Sequence, residues 1–472
     1  VKGTPNYREI EATYGYSYHY IRQLFRRITK ISLSRYVLAR KIENIAFEIR
    51  HTNKYFVDIA YEYAFTNPDT FTKAFRRIVG INPSEFKVSN HSCGRRIICA
   101  SVYAPVILDH NNPKFTLPKL KAINEFGEMI RTPSSCILYG VPKVYFGRED
   151  AGAAQWTPFP MCLQSVLNYM GQDISYSEIM AYSGAAFRQR WDTAGWNVAA
   201  VDIRFTYESH LRPFELAFKC AGRSFNISER PDKPKSIDKD NAFALIRSEL
   251  DCGRPVIALG VVGPPEACIV TGYKNNGEAL LGWSLFQENT GMFGGDCRID
   301  ESGYFLKDNW WDNTEAIISL GEDIKVFTSV KDVLANALML MTQERVQTYG
   351  GTSCFYGGQA AYEAWAKAVE NDSVFLNELT EQWVCQKDSE VMLEEGRGHA
   401  ALYLLSLVEK YPNAAETLMK CAKRLKTASE IVPQIRTARK ANDNAKIAAL
   451  IRQAANHEKK ACTALKQAIG KL

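Results

Sequence analysis

Two sets of side chains in this 472-residue sequence could do chemistry. The first centres on a thiol. Cys162 stands in WTPFPMCLQSVLNYMG, where prolines precede an apolar run and Gly171 closes it. That spacing predicts a helix with the cysteine near its start, where the helix dipole would lower the thiol pKa and present a nucleophile. Such a thiol needs a base, usually histidine. Of the seven histidines only His210 shares this stretch, and His399 is far downstream. The one acidic group in the neighbouring apolar run, Glu266, would disfavour a thiolate beside it. Proton removal from Cys162 therefore lacks a base, and the residues weigh against an enzyme.

The same stretch is rich in large aromatics. Trp156, Trp191, Trp196, Trp283, Trp310 and Trp311 make up six of the eight tryptophans, with Phe159, Phe187 and Phe286 close in sequence. Taken singly, each is as readily a core residue as a binding one. Several sit beside Pro, Gly and Asn in WTPFP, RWDTAGWN and DNWWDN, which read as loops. Aromatic loops around one carboxylate suit a small cationic or amphipathic molecule. The expected lining is Trp156, Phe159, Cys162, Phe187, Trp191, Trp196, Glu266, Trp283 and Trp310. Arg188 or Arg190 could instead pair Glu266.

The second set is basic and helical. YFVDIAYEYAFTNPDTFTKAFRRIVGINPSEFK, from Tyr55 to Lys87, holds Ile59 and Ala60 on one helix face, then a tight turn at Ala64-Phe65-Thr66-Asn67. Asn67 or Thr66 can cap the helix that follows. Phe71, Ala74, Phe75 and Ile78 recur at three- and four-residue spacing and form its buried face, leaving Asp69, Thr70, Lys73, Arg76 and Arg77 outside. Helix, short turn and basic second helix is the layout that enters a DNA major groove. The unit is repeated: Phe25-Arg26-Arg27-Ile28 answers Phe75-Arg76-Arg77-Ile78, and Gly15-Tyr16-Ser17 answers Ala64-Phe65-Thr66. Between the copies, Ile42, Ile45, Ala46 and Ile49 mark one long joining helix.

Residues 10–87 resemble the DNA-binding domain of AraC/XylS-type transcription regulators. Two positions depart from that family's pattern, Ala64 and Lys30, where it usually carries glycine in a turn. The resemblance implies double-stranded DNA as partner, read by His19, Arg22, Gln23 and Arg26 in the first unit and by Asn67, Asp69, Thr70, Lys73 and Arg76 in the second. RNA polymerase is a further expected partner, and a homodimer a further expected assembly. Residues 137–320 are similar in order to papain-like cysteine peptidases of the bacteriocin-processing type and to the N-terminal domain of BtrH-type acyltransferases. There Glu266 or Ala267 stands at the position of the family histidine, so this resemblance implies a degenerate, non-catalytic relative that senses a small-molecule inducer. The alternative is a cysteine hydrolase or acyltransferase using Cys162.

Composition fits these readings. Residues 1–96 hold 17 Lys/Arg and 8 Asp/Glu, a net +9 within a chain of net +6. Basic charge gathered at one end is the footprint of a duplex-binding module. Twelve scattered cysteines, none in a C-x-x-C pair, suit a reduced cytoplasmic chain better than a zinc or disulfide framework. No apolar run reaches membrane-span length, so no membrane partner is expected; with no clustered ligands, no metal is expected, and no cofactor is either. The predicted class is multidomain: an all-α double helix-turn-helix over 1–90, a connector over 91–136, an α+β peptidase-like domain over 137–328 and an all-α extension over 329–472.

Overall fold

A computed structural model describes residues 17–29, 32–52, 54–79, 81–88, 129–150, 153–231, 236–287, 297–300, 302–324, 328–347, 354–371 and 380–472. Gly15, Tyr16 and Lys30, and residues 91–128 of the expected connector, lie outside these residues.

In chain order the first helices are α1 (Tyr18–Thr29), α2 (Leu33–His51), α3 (Phe56–Glu62), α4 (Pro68–Val79) and α5 (Pro83–Val88). Strands β1 (Met129–Thr132), β2 (Ser135–Leu138), β3 (Arg148–Asp150) and β4 (Ala153–Gln155) follow. Next come α6 (Pro158–Tyr169), α7 (Tyr176–Tyr182), β5 (Arg190–Asp192), α8 (Arg212–Cys220), β6 (Arg223–Glu229) and α9 (Lys239–Leu250). Then come β7 (Val256–Leu259), β8 (Ala267–Lys274), β9 (Ala279–Trp283), β10 (Arg298–Ile299), β11 (Phe305–Asp308) and β12 (Ala316–Asp323). The chain ends with α10 (Val330–Thr342), β13 (Arg345–Gln347), β14 (Cys354–Gly357), α11 (Gly358–Asn371), α12 (Glu381–Ser406), α13 (Ala415–Ser429), α14 (Val432–Lys440) and α15 (Asn444–Ile469).

The chain divides into two compact units, each built from separate stretches. One takes Val1–Val144, Ser165–Asp173 and Ser228–Ile317; the other takes Tyr145–Gln164, Ile174–Ile227 and Ile318–Leu472. The units interleave along the chain, an arrangement that boundaries drawn along the sequence do not express.

In the first unit, α2 to α5 surround an apolar core in which Ile42, Ile45, Ile49, Ile59 and Phe75 are fully enclosed. The unit also holds an antiparallel sheet centred on β8. Strand β9 pairs along one edge of β8. The other edge pairs with β7 over its first half and β2 over its second. β11 and β10 continue outward from β9. Ala267–Tyr273 and all of β9 are buried, so both read as unbroken apolar runs rather than alternating ones. Helix α9 packs on this sheet, capped by Asp238, whose side chain accepts from Asn241 N.

The second unit is mostly helical. Ser175 and Glu178 form a reciprocal capping box at the start of α7, which fixes that helix where the sequence turns from Asp173. Proline opens α8 and α14 at the first turn, where its missing N–H costs nothing. Helix α15 buries Ile447, Leu450, Ile451, Ala454, Ala461 and Leu465 on one stripe against α11 and α13. The region after residue 329, expected to be all-α, is not wholly helical. β13 and β14 form a hairpin there, and β14 pairs with β5 through Phe355↔Asp192 and Tyr356↔Trp191. Strands of three and four residues carry too few positions for a two-residue period to show.

Candidate nucleic-acid interface

Helix α3 ends in a closing loop that determines where α4 points. Phe65 N donates to Ala60 O at 3.0 Å and Ala64 N to Tyr61 O at 2.9 Å. This pair of bonds is a Schellman closure, which requires a left-handed residue at its centre. Ala64 supplies it, with φ of 58°. Asn67 then caps α4, its Oδ1 accepting from Thr70 N at 2.7 Å. Pro68 follows as the first helical residue, where it is favoured.

An aromatic stack holds α4 from below. Phe65 meets Phe71, Phe71 meets Phe75 and Phe75 meets Phe86, with centroids 5.6, 5.8 and 5.4 Å apart and edge-to-face geometry. With Phe71, Ala74, Phe75 and Val79 buried, the opposite face of α4 is turned out. Asp69, Thr70, Lys73, Arg76 and Arg77 are all exposed there. Polar ties brace the supporting helices. Lys54 binds Glu48 at 3.1 Å and Glu62 at 2.6 Å. The Tyr63 hydroxyl donates to Glu48 at 2.8 Å, and Lys41 Nζ donates to Tyr63 O at 2.9 Å. Burial pushes the Lys41 ammonium down from its ordinary pKa. These braces were missed in the sequence reading; their only signal was a set of opposite charges on neighbouring helices.

In the first unit, α1 exposes His19, Arg22 and Gln23. His19 Nε2 and Gln23 Nε2 lie 2.9 Å apart, one turn along the helix. Arg22 sits 5.6 Å from the Tyr18 ring centre. Arg26 belongs to α1, but its side chain is outside the described residues, as is any helix before residue 17.

The other expected site residues are divided between the two units. Cys162 is in the second turn of α6 and has no exposed surface, flanked by the buried Met161, Leu163 and Val166. The expectation of a presented nucleophile is corrected: α6 is apolar nearly all round, and its thiol is enclosed. Phe159 is buried against Phe214 at 4.6 Å. Phe187 is fully buried. Trp191 and Trp196 pack edge-to-face at 4.9 Å, and Trp191 stacks on Trp365 at 6.3 Å in the helical core of the second unit. Trp156 is 36% exposed and stacks on Phe146. In the first unit, Trp283 donates to Val141 O at 2.8 Å and meets Tyr304 at 4.7 Å. Trp310 is enclosed, with its indole N–H on Gly277 O at 2.8 Å. Glu266 is half-buried just ahead of β8, after Gly263 at a φ of 87° and two prolines. Arg188 and Arg190 give their hydrogen bonds to backbone carbonyls of Gln189, Val201, Asp202, Phe205 and Thr206.

A polar assembly around α6, also missed in the sequence reading, belongs to the second unit. Glu395 on α12 accepts from Trp156 N, from Thr157 N at 3.0 Å, from Thr157 Oγ1 at 2.7 Å and from the Tyr176 hydroxyl. His399, one turn on, contacts Ser177 Oγ at 2.9 Å and Ala154 O at 3.0 Å. The carboxylate thus caps the N-terminal end of α6 from a distant helix, and burial with Glu395 alongside pushes the Tyr176 phenol well up. Among the described residues no three His, Cys, Asp or Glu side chains gather as a metal site requires. None of the described helices is long and apolar enough to cross a membrane.

The N-terminal geometry defines a helix-turn-helix protein, with a basic helix presented on an aromatic base. The family model described as Helix-turn-helix domain matches residues 11–88. The regulatory protein SoxS of Escherichia coli K12 is 33% identical over 73 residues, covering 16% of this chain and 68% of SoxS. The Tn10 TetD protein of Escherichia coli is 34% identical over 73 residues, and the transcriptional activator AarP of Providencia stuartii 34% over 76. Through this N-terminal region the chain belongs to the AraC family of helix-turn-helix proteins. The match spans 53% of TetD and 56% of AarP, about half the length of each.

Proposed function

We propose that this protein is a transcription regulator that binds promoter DNA through its N-terminal helices, and that the residues after 128 carry its input. One observation bears most of this reading: the exposed row Asp69, Thr70, Lys73 and Arg76 on a helix fixed by a buried aromatic stack. Side chains so placed reach base edges and phosphates once the helix lies in a major groove. AarP, named as a transcriptional activator, shares the region.

Residues 137–328 are proposed to be a peptidase-like domain that senses a small-molecule inducer rather than turning one over, with the mostly helical residues 329–472 packing on it. An enclosed Cys162, and Glu266-Ala267 where a histidine base would stand, support that reading. Glu266 at the mouth of β8 is the group proposed to face the inducer. A mobility shift with promoter fragments from the protein's own genome tests the first part. Specific retardation, weakened in Lys73→Ala and kept in Cys162→Ala, is expected. Retention of full specific binding after both Lys73 and Arg76 are changed to alanine would overturn it.

A further inference from the structure

The second unit buries three guanidiniums around the stretch of chain that runs through β5. Arg188, Arg190 and Arg397 are at most 2% exposed, as is Gln189 between the first two. Arg397 donates Nη1 to Ala186 O at 3.2 Å and Arg188 O at 2.6 Å, and Nε to Glu458 Oε2 at 2.6 Å. The Tyr362 hydroxyl donates to the same Glu458 oxygen at 2.7 Å. Among the described residues, Arg190 donates to the carbonyls of Gln189, Phe205 and Thr206. Burial, with the Arg188 charge adding to it, pulls the Arg190 guanidinium down to about 9. Three guanidiniums therefore share this interior with two buried carboxylates, Glu458 and Asp192, the latter accepting from Ala194 N and Asn197 Nδ2.

Several polar atoms here are buried and unmatched. Arg397 Nη2 and Gln189 Nε2 donate to nothing among the described residues, and Glu458 Oε1 and Gln189 Oε1 accept from nothing. All lie on Arg397, on its ion-pair partner, or on the residue next to the carbonyl it binds. Buried polar groups left so are costly, and an excess of buried charge more so. The unmatched donors call for an anionic acceptor. The unmatched Glu458 oxygen repels a bare anion but accepts an O–H.

We propose that the cluster of Arg190, Arg397, Gln189 and Glu458 binds a small oxyanion that keeps one hydroxyl hydrogen, of the hydrogenphosphate or hydroxycarboxylate kind. The anion offsets the guanidinium excess, and its hydroxyl separates it from oxyanions that have none. The inference stands apart from DNA recognition and is opposite in charge to the ligand expected at Glu266. Because the cluster is enclosed, entry requires the loop around residues 184–206 to part. Within that stretch β5 is tied to β14 by a strand ladder, and the rest is held by side-chain bonds to carbonyls, so binding is slow.

The test is thermal unfolding and calorimetry of the full chain with phosphate, glycolate and sulfate at matched ionic strength. A saturable rise in Tm with phosphate or with glycolate is expected, and the one that acts identifies the source. Sulfate, lacking the hydroxyl, binds roughly tenfold or more weaker, the worth of one hydrogen bond to a charged group. Gln189→Leu loses the response. Gln189→Glu, which brings its own carboxylate, raises Tm without anion and also loses the response. Equal effects of phosphate, glycolate, sulfate and chloride on the native chain overturn the proposal, since the cluster then holds only water. So does a Gln189→Glu chain that is less stable yet still responds.

Discussion

Ala64 shows how one side chain can record a compromise. A left-handed backbone costs an alanine about 1–2 kcal/mol, while glycine adopts it freely and loses more chain entropy on folding. Ala64→Gly is therefore expected to stabilise the loop between α3 and α4 by about 0.5–1 kcal/mol. The readout is slower hydrogen exchange at the Phe65 amide, which is bonded to Ala60 O across that loop; unchanged or faster exchange refutes it. This residue was legible because its neighbours in sequence are its neighbours in space, and the same holds for the Asn67 cap and for the Phe71 and Phe75 spacing. Cys162 was half legible. Its helix was evident from flanking prolines and glycine, but its enclosure depends on residues remote in the chain. With no surface of its own, it should resist thiol reagents in the native state, and Cys162→Ser should behave like the parent toward activated esters. A stoichiometric ester burst that vanishes in Cys162→Ser contradicts this.

Helix α12 is where element-level reading was weakest. Its buried residues include Glu390, Glu395, Arg397 and His399 as well as Met392, Leu393 and Leu404. A helix with polar groups enclosed on several faces shows no apolar stripe, so neither its depth nor its partners can be read from period. Glu395 finds its partners more than 200 residues upstream. Glu395→Gln replaces one acceptor oxygen with an NH₂ facing N–H donors, and a loss of about 2–3 kcal/mol in urea unfolding is expected; a change within error would mean the cap of α6 is idle. Asp388, on the same helix, gives a pH signature. Burial pushes its carboxyl up to about 6, against a smaller pull from Lys387. The folded state thus holds this proton more tightly than the unfolded chain does. The stability it confers is complete below the unfolded pKa near 4 and is lost as pH rises through about 6. Asp388→Asn should match the parent near pH 4 and exceed it by about 1–3 kcal/mol at pH 8. Parallel stability curves for parent and variant across that range contradict the assignment.

At the scale of the molecule, charge and connectivity tell different stories. The excess of base over acid is confined to residues 1–96 and was evident by count. The family assignment was evident because a helix-turn-helix is a contiguous local fold. Beyond it, the two compact units take alternating stretches of chain, with boundaries at Val144, Gln164, Asp173, Ile227 and Ile317. Exchange of that kind leaves no mark on composition or period, since each segment keeps its own local pattern whichever core it joins. The charge argument still yields a sharp expectation. Each Lys or Arg that neutralises a phosphate releases condensed counterions, so log K falls against log salt with a slope of about −0.9 per contact. If the exposed cations of α4 make such contacts, duplex affinity must fall steeply with salt. Lys73→Ala must flatten the slope by about one unit for specific and nonspecific DNA alike if Lys73 meets phosphate. If it meets a base edge, the slope holds while discrimination between operator and mutated operator falls by about 1–3 kcal/mol. Fluorescence anisotropy at several salt concentrations separates the two. A Lys73→Ala chain with unchanged slope and unchanged discrimination would place α4 outside the groove and remove the main support for the regulator reading.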